Sequence, residues 1–396
     1  MTINYTTGYA GTGKSTELIE LTKSLDPESS VIIAPTHKAL ERLREHVPDT
    51  IEIKTIHSLL GWIPSINENA KKVEHIDTTI KLDRPIEDYK TIVIDEAGMM
   101  SEDMLLSITA GLEELNNFET DNITLHLFLD PYQLLPVKGM QIQTDPDTTK
   151  NLTTQHRGES PDVVALFTKF VRYLEGTNLD DLTTPPSENV IYKTDISDFK
   201  IGDRLLAYTN KCVGSYNKKI AKQLGITTYI NQEVQLGSLP DLYKVDSFVK
   251  PTTKDLLEWY EEGTLKLQNS QINKRFLVES LHAMVECKDI KYIKSQGLVI
   301  PVICGIDEAY KLRNKAKEAA VKNRKKFKRV YALGRAYTMD YGFASTVHKA
   351  QGSEFSRVWI VKPDIQKAIF GGSYKNYARL MYVALSRAKN TIFIIN

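Results

Sequence analysis

The sequence predicts an α/β protein built on parallel sheets, with a β-rich segment inserted late in the chain. Short apolar runs of strand composition alternate with segments of helical period near both ends, the pattern of βαβ units joined by right-handed crossovers. A glycine-rich loop, Gly8–Ser15, lies between the first such run and the first helical segment. From about 232 to 337 the alternation gives way to period-two patches, which mark a separate small domain.

Taken in order, strands are expected at Thr2–Thr6, Ser30–Ala34, Thr91–Ile94 and Thr124–Leu129, with helices at Lys14–Leu25, Lys38–Val47 and Glu102–Leu115. The stretch Gly61–Lys90 is longer than a simple crossover needs, and Lys72–Ile76 can pair with Thr79–Asp83 as a hairpin around Asp77-Thr78. Thr183–Ser187, with two prolines in succession, reads as linker. A second alternating unit opens with a strand at Arg204–Thr209 and a helix near Val213–Leu224. It resumes with a strand at Arg357–Val361, a helix at Tyr377–Lys389 and a closing strand at Thr391–Ile395. Between its halves, Phe276–Val285 and Leu298–Ile303 read as strands.

The 396 residues suffice for two or three domains, and 41% hydrophobic with 26% charged residues is ordinary for a globular protein. Cys212, Cys287 and Cys304 form no CxxC pair, which argues against a disulfide framework and against a zinc site and fits a reducing compartment. No apolar run approaches the roughly 20 residues that span a bilayer. No membrane association and a cytoplasmic location are therefore expected. Net charge is only +1, so a nucleic-acid partner must be held by local charge and backbone amides. One such concentration is Lys311–Arg329, with ten basic residues against the single acid Glu318. It reads either as a solvated helix face or as a phosphate-tracking one.

The sharpest chemical signal is Gly8-Tyr9-Ala10-Gly11-Thr12-Gly13-Lys14-Ser15, a G-x4-G-K-S loop between a strand and a helix. Glycines let consecutive amides curl round a phosphate chain, and the helix N-terminus adds positive potential. Lys14 is placed to reach the β- and γ-phosphates of ATP, Ser15 to bind Mg²⁺, and Gly8, Gly11, Thr12, Gly13 and Thr16 to shape the cradle. The strand Thr91–Ile94 ends in Asp95-Glu96, where Asp95 suits a Mg²⁺ ligand and Glu96 can polarise the attacking water.

Read together, GYAGTGKS (8–15), APTHKAL (34–40), TIHSLL (55–60), VIDEAGMM (93–100), LDPYQLLPV (129–137), STVHKAQGSEF (345–355) and YVALSRAK (382–389) resemble the motifs of superfamily 1 helicases, in order, across nearly the whole chain. The resemblance is to the RecD-like branch that includes the phage Dda type. It implies two RecA-like lobes with ATP between them and DNA across their top. On that scheme, 1–155 is the first lobe with a pin insertion at about 61–90. Residues 156–231 and 338–396 form the second lobe, and 232–337 is a β-rich, SH3-like insertion. The resemblance also implies ATP-dependent 5′→3′ movement on single-stranded DNA with duplex unwinding. Left beside it are a single-strand translocase that displaces proteins and a nucleotide-gated DNA-binding module.

By motif position Gln133 senses the γ-phosphate, Arg387 is an arginine finger from the second lobe, Arg157 is a further phosphate contact, and Glu354 meets the nucleotide sugar. Pro35, Thr36, His37, Thr55, His57, Thr209, Asn210, Lys211, Thr346, His348 and Lys349 fall at DNA-contacting positions, where hydroxyls and amides suit sequence-independent phosphate contacts. Tyr208 and Tyr382 read as packing residues. Expected partners are single-stranded DNA and single-strand/duplex junctions, with single-strand-binding or replication proteins as further candidates. The chain is expected to be monomeric, in a host cytoplasm if of phage origin. Replication, repair and recombination are all open to it. Two departures from the family stand out. Related enzymes usually carry an adenine-reading glutamine segment upstream of the phosphate loop, whereas seven residues precede Gly8 here, so base selectivity stays open; and Leu129 and Leu135 replace the usual glycine and proline.

Overall fold

The structure is a computed structural model that describes residues 1–35, 37–59, 62–66, 72–76, 86–115, 123–136, 140–156, 160–176, 182–237, 242–268, 277–322, 327–370 and 374–396. By contacts the chain forms two compact units. The first comprises Met1–Ile191, Gln351–Glu354 and Ala368–Ile392, and the second Tyr192–Ala350, Phe355–Lys367 and Phe393–Asn396.

The first unit runs β1 (Thr2–Thr7), α1 (Lys14–Thr22), β2 (Ser30–Ala34), α2 (His37–Arg44), β3 (Glu52–Thr55), α3 (Ile56–Leu59), β4 (Trp62–Ile66), β5 (Lys72–Ile76), β6 (Thr91–Ile94), α4 (Glu102–Leu115), β7 (Thr124–Leu129), β8 (Thr148–Asn151) and α5 (Pro161–Leu174), and the boundary falls within β9 (Val190–Lys193). Six strands make one sheet in the order β3-β2-β6-β7-β1-β8, and every pairing in it is parallel. Its inner strands β2 and β6 are apolar but for a first Ser or Thr, because both faces are covered. Val31, Ile33, Ile92, Ile94, Leu125 and Leu127 pack with Leu105, Ile108 and Leu112 of α4, while Ile32, Val93 and Phe128 pack with Leu18 of α1 and Leu43 of α2. Alternation at period two thus feeds two cores from the same strands. β3 and the wholly exposed β8 are edge strands without that apolar pattern, and sequence periodicity does not single them out.

The expected hairpin is present with a different partner. Lys72–Ile76 pairs antiparallel with Trp62–Ile66, in register from Trp62 opposite Ile76 to Ile66 opposite Lys72. Pro64 in β4 lacks the N–H that a central strand needs, but a two-stranded ribbon has an open edge for it. Thr79–Asp83 lies outside the described residues.

The second unit contains β10 (Arg204–Ala207), α6 (Asn210–Gln223), β11 (Glu233–Leu236), β12 (Leu242–Lys244), β13 (Ser247–Val249), α7 (Thr253–Glu261), α8 (Leu277–Glu286), β14 (Lys291–Ser295), β15 (Leu298–Cys304), α9 (Ile306–Lys322), α10 (Phe327–Arg335), β16 (Tyr337–Tyr341), β17 (Ala344–Thr346), β18 (Phe355–Val361) and α11 (Lys362–Ile365). β10 pairs parallel with both β17 and β18. The inserted segment builds a six-stranded sheet, β12-β11-β16-β15-β14-β13, antiparallel except between β15 and β16. It is less purely β than the sequence suggested, because α7, α8, α9 and α10 pack on it. The stretch expected as the strand Phe276–Val285 is α8: Ser280, Leu281 and Met284 are its buried residues, a helical spacing rather than an alternating one. Arg313, inside the basic run, points inward and donates to the carbonyls of Leu333 and Ala336, to Thr338 Oγ1 and to Gln268 Oε1.

The chain then adds α12 (Lys367–Phe370), α13 (Tyr374–Leu385) and β19 (Ala388–Ile395). The helix expected at Tyr377–Lys389 therefore stops earlier, and Ala388 and Lys389 are strand. Contacts place α5 and α13 in the first unit, not with the second lobe to which motif order assigned them. The two helices pack through edge-to-face pairs, Phe170 on Tyr377 and Phe167 on Tyr382.

Candidate active site

The phosphate-type loop is wound by its glycines and braced from behind. Gly11 and Gly13 have φ of 85° and 89°, left-handed values that cost other residues strain. At Gly8 the constraint is space, since a Cβ there would lie 2.3 Å from Thr12 Oγ1 and 2.9 Å from the Leu152 carbonyl. Lys14 Nζ donates to the loop's own carbonyls, Gly8 O at 2.6 Å and Tyr9 O at 3.1 Å. Thr12, buried, donates its hydroxyl to Tyr9 O. Segment 152–156 supports the loop: Tyr9 Oη donates to Thr153 O, Gln155 Nε2 to Ala10 O, and His156 N to Gly11 O. Gly13 puts no side-chain cap on α1, so the first amides of that helix face the cleft.

Asp95 and Glu96 follow β6, and Asp130 and Gln133 follow β7, so the acidic and amide groups arise at the carboxyl ends of strands β6-β7-β1 beside the loop. Asp95 is buried and its backbone N–H donates to Ile33 O. Glu96 has φ 52°, a left-handed value rare for a residue with a Cβ and a feature that recurs at functional turns. Gln133 is 7% exposed, and its Oε1 is buried with no hydrogen-bond partner among the described residues.

These groups line one cleft of about 310 Å³, near the lower end of the roughly 300–1,000 Å³ of small-molecule sites. Of the residues expected at the nucleotide site, Gly11, Gly13, Lys14, Ser15, Thr16, Asp95, Glu96, Gln133, Glu354 and Arg387 all line it. Gly8 and Thr12 are not among the lining residues and instead pack inside the loop. Arg157 lies outside the described residues. Arg387 is buried, with its guanidinium bonded to Val383 O, Ser353 O and Ser386 Oγ. Glu354 pairs with Lys389 at 3.5 Å.

Sequence reasoning missed two lining residues, Ala10 and His156. It also missed the role of Tyr382, whose hydroxyl donates to Asp130 Oδ2 and accepts from Ala10 N. Burial pushes the Asp130 carboxyl up, opposed by Lys14 and by the Tyr382 hydroxyl. Burial, and then Asp130, push the Tyr382 phenol well up, so it stays protonated and donates.

At the positions expected to meet DNA, three threonines are helix or turn caps. Thr55 Oγ1 accepts from Ser58 N, Thr209 Oγ1 from Cys212 N, and Thr346 Oγ1 from Lys349 N. Asn210 and Lys211 open α6 and are exposed, as is His348, whose ring lies 6.2 Å from that of Tyr208. Lys349 points inward, donating to Gly237 O, and burial lowers its pKa. Pro35 is partly buried after β2. Thr36 and the side chains of His37 and His57 lie outside the described residues. Among the described residues no helix is long and apolar enough to cross a membrane.

Residues 2–138 match the AAA domain family, and residues 341–395 match the UvrD-like helicase C-terminal domain. The N-terminal part of the chain is thus similar to AAA domains and its C-terminal part to UvrD-like helicases. Solved structures with this fold include the Pif1 helicase from Candida albicans, 17% identical with a TM-score of 0.52, covering 100% of this chain and 91% of that one. Pif1 of Bacteroides sp in complex with ADP-AlF4 is 16% identical with a TM-score of 0.52, covering 99% and 88%. A Pif1 structure described for DNA unwinding at forked duplex by two coordinating helicases is 17% identical with a TM-score of 0.52, covering 100% and 88%. At these identities the likeness is one of fold. Uncharacterized protein R530 of Acanthamoeba polyphaga mimivirus is 32% identical over 152 residues, 34% of this chain. The matched region spans only 29% of that relative's length.

Proposed function

We propose that this chain is a superfamily 1, ATP-dependent DNA helicase that moves 5′→3′ along single-stranded DNA and separates strands at single-strand/duplex junctions. The observation that carries the reading is the convergence of Lys14, Asp95, Glu96, Gln133 and Arg387 on one cleft, from positions spread over the chain's whole length. An anion-binding loop alone would serve any nucleotide-binding module. A loop joined by a carboxylate pair, an amide and an arginine has the parts that phosphoryl transfer uses. The Pif1 structures, one with an ADP-AlF4 complex and one concerned with forked duplex, support the substrates, and the RecD-like motifs support the polarity.

On ATP binding, Lys14 exchanges its loop carbonyls for phosphate oxygens, and the open amides of α1 take the remaining charge. Glu96 orients and polarises the attacking water. Arg387 meets the charge that develops on the transferred group, and Gln133 Oε1 supplies an acceptor inside the cleft. The donor set fits Mg²⁺, because Ser15 and Asp95 both offer hard oxygens to the cleft and such sites take few protein ligands. Bound there, Mg²⁺ would neutralise phosphate charge. The DNA-facing groups are proposed at the strand ends carrying Pro35, Thr55, Asn210, Lys211 and His348.

The test is unwinding of partial duplexes bearing a 5′ or a 3′ tail, with Lys14→Ala as the inactive control. The expected result is ATP-dependent unwinding of the 5′-tailed substrate only. Displacement of streptavidin from single strands without unwinding would make the chain a translocase. DNA binding without ATP turnover would make it a nucleotide-gated binder.

A further inference from the structure

We infer that Arg379 and Tyr382 are positioning residues for ATP hydrolysis. From one face of α13 they hold the turn that carries Gln133 in register with the phosphate loop. The inference rests on the hydrolase reading above.

The segment Asp130–Gln133 belongs to no helix or strand. Its own bonds fix only its start: Tyr132 N donates to Asp130 Oδ1 at 2.9 Å, and Gln133 N donates to Asp130 O at 3.3 Å. The Tyr132 hydroxyl donates to Glu175 just past α5, at 2.6 Å, and the turn's carbonyls and the Asp130 carboxylate are held from α13. Arg379 Nη1 donates to both Pro131 O and Gln133 O, at 2.6 Å each, so one guanidinium nitrogen gathers the two carbonyls that flank Tyr132. Tyr382, three residues on and therefore on the same helix face, donates to Asp130 Oδ2 and accepts from Ala10 N. The turn after β7 and the loop after β1 thus share a single oxygen.

Burial gives these bonds their weight. Tyr382 is fully buried and Asp130 nearly so, and water cannot replace a bond lost there. The same helix reaches Arg387, whose Nε donates to Val383 O of α13. A shift of α13 therefore moves Gln133, the phosphate loop and Arg387 together. Neither Arg379 nor Tyr382 lines the cleft, so they act through those three groups.

Tyr382→Phe removes one oxygen and keeps the ring packed against Tyr132 and Phe167. Arg379→Gln removes the charge and the fork, and Arg379→Lys restores the charge alone. Three quantities separate the outcomes: DNA-stimulated kcat, the dissociation constant for a fluorescent ADP, and the melting temperature. The expected result is a tenfold or larger loss of kcat in Tyr382→Phe and Arg379→Gln, with ADP affinity within threefold of the parent and partial recovery in Arg379→Lys. A kcat within twofold of the parent in both would overturn the inference while leaving the ATPase intact. So would parallel loss of kcat and affinity, or unfolding of both Tyr382→Phe and Arg379→Lys, since α13 would then be a structural support only. A parental chain that binds ADP and DNA without hydrolysing ATP would refute the helicase reading itself.

Discussion

Replacing Gly8 and Gly13 separately by alanine distinguishes two reasons for glycine in one loop. In Gly8→Ala the new methyl would sit 2.3 Å from Thr12 Oγ1, 2.9 Å from Leu152 O and 3.2 Å from Leu152 Cβ. Thr12 cannot easily turn away, because it is 2% exposed and its hydroxyl is bonded to Tyr9 O. Leu152 is no freer, with its N–H donating to Thr7 O at 2.8 Å. The backbone must shift, and Gly8 O is also the acceptor of Lys14 at 2.6 Å. Overpacking of this kind costs about 1–3 kcal/mol. If nucleotide binding must restore the loop, affinity falls roughly 5- to 150-fold. In Gly13→Ala the nearest atom is His156 Cδ2 at 3.5 Å, an ordinary contact, so only the φ of 89° is penalised. That penalty is about 1–2 kcal/mol. Titration with fluorescent ATP, alongside melting curves, should therefore rank Gly8→Ala at or above Gly13→Ala in damage. Parental affinity in Gly8→Ala would refute the packing of Gly8 on Thr12 and Leu152.

Other substitutions reach other parts of the molecule. Glu96→Gln should bind ATP as the parent does yet turn it over poorly, because the general base is lost while Asp95 remains; near-normal DNA-stimulated ATPase would remove Glu96 from that role. Arg387→Ala should keep ATP binding and lower kcat by about 10³-fold or more, the range of arginine fingers; steady-state ATPase decides it. Replacing the ribbon Trp62–Ile76 with a Gly/Ser linker should spare DNA-stimulated ATPase and streptavidin displacement while forked-duplex unwinding falls sharply, and unwinding at the parental rate would dismiss the ribbon as a pin. Asp364 accepts from the amides of Tyr208 and Thr209 and pairs with Lys367. Burial pushes its pKa up, but the bonds from Lys367 and Thr209 outweigh this and hold it below the ordinary value. A depressed carboxyl stabilises the fold above about pH 4 and loses that contribution as pH falls through its folded value. Asp364→Asn should cost about 1.5–3 kcal/mol at pH 7, with the gap in melting temperature closing toward pH 3.

What sequence made legible was local. Gly8–Ser15 declares its chemistry within eight residues, and the apolar run Thr91–Ile94 delivers Asp95 and Glu96 to a strand end. The division of the first sheet's residues between two cores was not legible, since Ile32 and Val93 are flanked by equally apolar neighbours and only the fold shows which face each takes. The α8 segment was misread because Leu277, Val278, Leu281 and Val285 look strand-like until Ser280, Leu281 and Met284 are seen to share a buried face. The hairpin partner was hidden by Pro64. Tyr382 was legible as a packing residue but not as a bridge, and Arg379 was not legible at all. Their partners lie about 250 to 370 residues away in the chain, and no local pattern announces a bond across that distance. His156 lines the cleft through a support segment with no periodic signal of its own.

The threonines at 55, 209 and 346 carry a warning for anyone who would map the DNA path by mutation. Each spends a lone pair on a backbone amide where a strand gives way to a turn or helix. Any bond such a hydroxyl makes to a phosphate must come from its single proton, and at Thr209 that proton is already directed at Asp364. Alanine at these sites would loosen the local chain by about 0.5–2 kcal/mol and remove a candidate DNA contact in the same stroke. Weakened DNA binding in such variants would not by itself mark a contact. Serine keeps both functions, and asparagine or aspartate keeps the cap while changing what faces a phosphate. Only a comparison among all four can separate architecture from recognition.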